Sequence, residues 1–325
     1  MKILAAIDHS EQSETLLSTV KSMNWPEGTE INLFTSIKGP KPKEGRPLHK
    51  EEQLVIDLLG EKAQRLQNLL PHCRIFYDIA HGEPKEAIIK EARRWSANLI
   101  ILGTRGHRGL ELLLTGSVSQ YVMLHAGCPV MILKPHLKDL AQELNDGFES
   151  VLIPVDGSIF SRAAVQWLAN LGFARNTRFK LVTAIKEVSE TMLSTADFAS
   201  VHLSTLAQVE LEEMAQPLIE AFGRENVTTQ VHDGNPDEVI MAVAESWQAD
   251  LIVLGSHGKT GFTRLLLGSV SQSIAGRAPC SVAIAKGVLS QAEYEALEKE
   301  MEQPNSKDEG YGDYRPHVPP YIGLG

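Results

Sequence analysis

The stretch LGTRGHRGLELLLTGSVSQ, from Leu102 to Gln120, returns in the second half as LGSHGKTGFTRLLLGSVSQ, from Leu254 to Gln272. Between Asn98–Gln120 and Asp250–Gln272, 13 of 23 positions are identical, and the offset is constant, 255 − 103 = 152 and 268 − 116 = 152. A period this long constrains the fold more than any other feature, because each copy has to form the same unit. The 325 residues agree with about two domains.

Each half reads as strand and helix in alternation, five strands and four helices. In the first, KILAAID is a short, continuous apolar run, as expected for a strand covered on both faces. Ser10 is placed to cap the following helix, EINLFTSI is the second strand, and a Pro-, Gly- and Lys-rich loop leads to a long helix from about Leu48 to Leu70. CRIFYDIAHG, NLIILG and PVMILK complete the strands, with Pro84 in the first turn of the third helix. The second half repeats the order through SVLIPVDGS, FKLVTAI, VTTQVHDG, DLIVLG and SVAIAK. Alternation of this kind specifies a parallel sheet with right-handed crossovers, an α/β fold of two tandem doubly wound domains. The expected boundaries are 1–140 and 148–288, with 289–325 as an acidic, mobile tail.

Hydrophobic content of 43% and charged content of 22% are those of an ordinary globular protein. No apolar run approaches the roughly 18 residues of a membrane span. The start, MKILAAIDHS, reads as a buried strand rather than a signal peptide. Three cysteines make no disulfide framework, and Cys128 and Cys280, equivalent in the repeat, are expected as buried free thiols of a cytoplasmic protein. The net charge is −10, and no run of Lys and Arg offers a face for nucleic acid.

The glycines follow the form G-x2-G-x9-G-S: Gly103, Gly106, Gly116 and Ser117, then Gly255, Gly258, Gly268 and Ser269. The first glycine ends an apolar strand and the last opens an amphipathic helix. A helix N-terminus carries unpaired N–H groups and the positive pole of the macrodipole, so it suits a phosphate. Glycine lets that phosphate approach the backbone, and Ser117, Ser119, Ser269 and Ser271 are placed to add hydroxyl donors. A turn at Gly103 and Gly106 with Ser117 as a simple helix cap explains one copy equally well. Two unchanged copies favour the ligand, though a duplicated gene can inherit a motif without using it. The first strand of each half ends in an acid, Asp8 and Asp156. If strand order reverses between strands one and four, each acid faces its glycine loop across the crevice where doubly wound sheets bind ligands. A carboxylate there suits ribose hydroxyls, and it suits helix capping equally well.

With these motifs the chain resembles the universal stress protein family, as two UspA-type domains in tandem over everything but the tail. The resemblance implies a Rossmann-like, adenine nucleotide alpha hydrolase-like fold with strand order 3-2-1-4-5 in each domain. It also implies the ATP-binding branch, whose glycine motif this chain keeps. ATP, with or without Mg²⁺, would then be lined in site one by Asp8, Gly103, Arg105, Gly106, Gly116, Ser117, Val118 and Ser119. Site two would comprise Asp156, Gly255, His257, Gly258, Gly268, Ser269, Val270 and Ser271. The adenine would meet the end of strand two, near Ser36 and Ala184. Two departures separate the copies: Arg105 stands opposite His257, and His9, which would crowd the first crevice, opposite Gly157.

Other chemistries find less support. Gly258-Lys259-Thr260 copies the end of a Walker A loop, but the glycine required five residues earlier is Val253. Eleven histidines include no H-x3-H pair, and the cysteines lack zinc spacing. Surface or packing roles are expected for His81 and His125, and core roles for Trp95 and Trp247. Beyond the Asp no acid or base recurs at equivalent loop positions, so slow hydrolysis at most is expected. The expected partner is an adenine nucleotide, with no nucleic acid or membrane. The rivals are a true ATPase and a small-ligand or structural protein with vestigial sites. The two domains are expected to pair through their fifth strands as an internal pseudo-dimer. A further homodimer and any regulatory partner have no residue behind them.

Overall fold

A computed structural model describes residues 1–8, 12–39, 50–104, 116–134, 147–185, 196–258, 267–288 and 292. Met1–Val288 form one compact unit and Leu289–Gly325 a second; the expected tail falls almost wholly outside the described residues, as do His9 and Ser10.

The first half runs β1 (Lys2–Ala6), α1 (Gln12–Ser22), β2 (Glu30–Ile37), α2 (Lys50–Leu69), β3 (Arg74–His81), α3 (Pro84–Trp95), β4 (Leu99–Gly103), α4 (Ser117–His125) and β5 (Val130–Leu133). The second runs β6 (Ser150–Pro154), α5 (Ile159–Ala169), β7 (Arg178–Ile185), α6 (Ala196–Phe222), β8 (Val227–Asp233), α7 (Pro236–Ser246), β9 (Leu251–Gly255), α8 (Ser269–Arg277) and β10 (Ser281–Ala285). Local chemistry sets these boundaries. Pro84 and Pro236 stand in the first turns of α3 and α7, where a missing N–H costs nothing. Both helices leave through equivalent non-glycine residues with positive φ, Ser96 at 54° and Gln248 at 53°.

All strands join one ten-stranded sheet in the order β3-β2-β1-β4-β5-β10-β9-β6-β7-β8. Each half therefore has the order 3-2-1-4-5, and pairing within each half is parallel. The order reverses beside β1, which pairs with both β2 and β4, and likewise beside β6. The only antiparallel pairing among the described strands joins the halves: Val282 lies opposite Ile132, Ala283 opposite Met131 and Ile284 opposite Val130. Both strands are buried along their length.

The alternation of side chains across the strands divides the apolar residues into two cores. One, under α1, α2, α5 and α6, holds Leu16, Leu66, Leu168 and Leu218 against Ile3 and Phe179. The other, under α3, α4, α7 and α8, holds Ile88, Val122, Ile240 and Ile274 against Leu4 and Val182. Both cores contain residues of both halves. Trp95 and Trp247 are half-buried rather than central, with Lys2 Nζ 5.5 Å from one ring centroid and Lys180 Nζ 5.0 Å from the other. Cations cover these rings because each tryptophan closes its helix at the rim of the core.

The junction carries the thiols foreseen as buried. Cys280 is buried and Cys128 partly so. Burial pushes their pKa values up, to about 12 for Cys280 and about 11 for Cys128. The thiolate is the nucleophile, so a rise from 9.0 to about 11 leaves about a hundredfold less of it at pH 8. In the folded chain both thiols should label with a disulfide reagent at pH 8 at least about a hundredfold more slowly than in urea. Equal rates in both conditions would contradict the burial described. Ala283, fully buried in the joining ladder, provides a second test. Ala283→Glu places an unpaired carboxylate there and should cost about 3 kcal/mol or more in a urea unfolding series.

Candidate functional site

In the second half, the crevice lies between the ends of β6 and β9. Asp156 follows β6, and its Oδ1 accepts from Ser158 N at 3.1 Å and Ser158 Oγ at 2.6 Å. Ser158 in turn is the N-cap of α5, accepting from Ser161 N at 3.2 Å. The acid thus stands behind the cap rather than serving as it. Gly157, between them, has φ +75° and lies directly under the Glu210 carboxylate of α6, so only glycine fits there without strain. Glu210 is paired with Arg162 at 3.0 Å.

Across the crevice the glycine loop meets this acid. A methyl group at Gly258 would lie 2.7 Å from Asp156 Oδ2. The strand-one acid and the glycine loop are therefore in van der Waals contact over the reversal of strand order. Gly268, the N-cap of α8, makes no side-chain cap bond; its N–H donates to Ser256 O at 2.9 Å, and its Cα faces His257. Ser269 and Val270 continue from it into the first turn. Ser269 is exposed and is the residue after the N-cap, as is Ser117 in the first half, so Ser117 does not have the capping role considered for it. Gly255 has another function. A methyl there would sit 2.9 Å from the Phe160 carbonyl carbon, so this glycine lets the loop lie on the first turn of α5.

Two side chains behave differently from the sequence expectation. Ser271 Oγ donates to Gly255 O at 2.8 Å, and in the first half Ser119 Oγ donates to Gly116 O at 2.9 Å. Both hydroxyls brace the loop from beneath and are buried, so they are not free donors at the helix end. His257 is 7% exposed, its Nδ1 3.1 Å from Ser256 Oγ and its ring 5.1 Å from that of Phe160. Its Nε2 is buried with no hydrogen-bond partner among the described residues. A ring nitrogen in that position calls for a partner.

The first half supplies the same frame in fewer described residues. Asp8 is exposed; its N–H donates to Ser13 Oγ at 3.0 Å, and Ser13 Oγ donates to Asp8 O at 2.6 Å. Gly103 ends β4, and Gly116 is the N-cap of α4, again with no side-chain cap bond. Ser117 and Val118 follow it, exposed and half-buried. Arg105 and Gly106 lie outside the described residues. Ser36 Oγ donates to Gly82 O at 3.0 Å at the end of β2, while Ala184 stands opposite His232 in the ladder of β7 and β8. His81 is 3.1 Å from Glu52, a packing role, and His125 is exposed and stacked on Tyr121.

Sequence reasoning missed Phe160, Glu210 and Arg162. Their neighbours in the site come from helix packing, and no motif marks them. The glycines provide a direct check. Gly255→Ala must displace the backbone of α5 and should destabilise by about 1–3 kcal/mol. Gly276→Ala, in α8 with open space around it among the described residues, should stabilise by about 0.4–1 kcal/mol. Opposite shifts of the urea midpoint are expected, and equal shifts would contradict the packing at Gly255.

Comparison with known proteins agrees with this architecture. A family model described as the universal stress protein family matches residues 1–134 and 147–286. Universal stress proteins of Mycobacterium bovis and Mycobacterium tuberculosis are 32% identical over 189 residues, 58% of this chain and 62% of theirs. The match thus spans less than two thirds of those relatives' length. A universal stress protein of Mycolicibacterium smegmatis is 25% identical over 81% of this chain and 83% of its own. The solved structure of a universal stress protein from Archaeoglobus fulgidus shares the fold, with a TM-score of 0.57 over 88% of this chain and 96% of that one at 22% identity.

Proposed function

The chain belongs to the universal stress protein family, and from that premise we propose that it is an ATP-binding regulatory protein with a nucleotide site in the crevice of each half. One observation carries the proposal most: Asp156 and Gly258 meet across the point where strand order reverses. A carboxylate there suits a ribose, and the bare backbone beside it admits phosphates to the N–H groups of α8. The residues fit such a ligand. Gly258 and Gly268, the latter the N-cap of α8, present no side chain, and His257 Nε2 is buried with no partner among the described residues. Asp156, Gly255, His257, Gly258, Gly268, Ser269, Val270 and Ser271 would form site two. Asp8, Gly103, Arg105, Gly106, Gly116, Ser117, Val118 and Ser119 would form site one. Mg²⁺ would arrive with the phosphates, neutralising part of their charge.

A binding role is favoured over rapid hydrolysis by the carboxylates themselves. Asp156 Oδ1 is held by Ser158, and Glu210 is held by Arg162. A general base for water would have to leave one of these contacts. Phosphate release at saturating ATP and Mg²⁺ separates the two classes: many turnovers per minute would establish an ATPase instead.

Calorimetric titration tests the sites directly. About two ATP should bind the parent chain, and about one each to Gly116→Glu and Gly268→Glu, which place a carboxylate at the helix N-terminus. A loss of about 3 kcal/mol weakens binding roughly a hundredfold. ATP at about 100 times its Kd stabilises the native state by roughly 2.7 kcal/mol per site, so the parent should gain about twice what each single variant gains. The double variant should gain almost nothing. Unchanged binding by the double variant would show that the glycine loops are inherited scaffold.

A further inference from the structure

The fifth strands are followed by equivalent lysines, Lys134 and Lys286 (134 + 152 = 286), and each side chain crosses the junction. Both residues are buried. Lys134 Nζ donates to Ala278 O at 2.7 Å, the carbonyl of the residue that caps α8. Lys286 Nζ donates to Leu124 O at 2.6 Å, in the last turn of α4. The final carbonyls of a helix lack intrahelical donors, and a cation there answers the negative pole of the macrodipole.

The residues just before these lysines contact the glycine loop of the lysine's own half. Leu133, beside Lys134, accepts from Thr104 N at 3.1 Å, immediately after Gly103. Ala285, beside Lys286, pairs with Gly255. Each lysine thus links the glycine loop of its own half to the foot of the phosphate-facing helix of the other. Resting on the nucleotide reading above, we infer that Lys134 is a positioning residue for site two and Lys286 for site one, so that each site is completed by a cation from the other half.

The physical reason lies in the length of these helices. Nine residues span only about 14 Å, so a phosphate at the N-terminus feels both poles. An ammonium at the C-terminal end offsets the negative pole and fixes the helix against the strand that carries the opposite loop. Burial lowers the pKa of both lysines from the ordinary value, and the facing thiols, Cys280 for Lys134 and Cys128 for Lys286, oppose that shift.

The test uses the full chain with one site silenced at a time. In the Gly116→Glu chain, which retains site two, Lys134→Met should weaken ATP binding about threefold to tenfold, as expected for a charge at a partly buried helix end. In the Gly268→Glu chain, which retains site one, the same change should leave the Kd within about twofold. Lys286→Met should give the opposite pattern. Lys134→Arg, which keeps the charge, should restore site two, and Lys134→Gln, which keeps a donor, provides the readout if the Met variant does not fold. Hydrogen exchange without nucleotide should show α8, and not α4, losing protection in the Lys134 variant. Equal weakening in both backgrounds, or none, overturns this inference and leaves the nucleotide reading standing. Failure of the unsubstituted chain to bind ATP overturns both.

Discussion

The antiparallel ladder between β5 and β10 is the contact on which the rest of the molecule depends. A five-stranded parallel sheet with order 3-2-1-4-5 leaves its fifth strand at an edge, with a row of unpaired N–H and C=O groups. Here that edge is apolar and only four or five residues long. Pairing it with its counterpart satisfies the backbone of both strands and lets the apolar side chains above and below run on into two shared cores. The direction also matters. An antiparallel pair relates the halves by an approximate two-fold, so whatever one half offers the other is returned. Asn24 N donating to Gly172 O at 2.6 Å ties the ends of α1 and α5 on one face, and the crossed lysines act on the other.

Within this shared frame the halves meet similar demands with different chemistry. In the first, Glu14 of α1 is answered by Lys62 and Arg65 of α2. In the second the signs are reversed, with Arg162 of α5 answered by Glu210 of α6. In the first, Gly60 leaves room for Tyr77, whose ring lies over it. At the equivalent positions Glu212 accepts from Thr229 and pairs with Arg224 at 2.5 Å. Arg224 holds the Glu212 carboxyl below the usual carboxylate range. These pairs lie largely in solvent and contribute little to stability. Their consequence is local: the reversal places a carboxylate over Gly157, beside site two, where the first half has no equivalent acid on α2.

Much of this was legible in the sequence, and the reasons are specific. The apolar runs at Ile3–Ala5, Leu99–Leu102 and Leu251–Leu254 are buried on both faces, so composition alone identifies them as strands. Pro84 marked a helix start because the first helical turn does not need its missing N–H. The repeat then implied that one sheet topology had to serve twice. What remained hidden depends on contacts across large separations. The hydroxyls of Ser119 and Ser271 look like ligand donors in a motif, yet each is buried and donates to a nearby backbone carbonyl, Gly116 O and Gly255 O. Trp95 and Trp247 look like core anchors, yet each sits where a helix ends and a cation can cover the ring. Lys134 and Lys286 look like ordinary charges closing a strand. No local pattern distinguishes a lysine that points to solvent from one that crosses to a helix 144 or 162 residues away.

The three glycines of site two also divide along physical lines that the motif conceals. Gly255 is small because another backbone lies against it; Gly258 is small because a carboxylate faces it; Gly268 is small because a helix begins there without a side-chain cap. In the proposed nucleotide site, only the second and third would face the ligand. A structural protein retaining the motif for packing would need Gly255, whose added methyl would meet backbone, more than Gly268. Among the described residues, Gly268 has no neighbour closer than 3.5 Å to an added methyl. An open backbone at a helix N-terminus is what the proposed nucleotide reading requires at Gly268 and what a packing role alone does not.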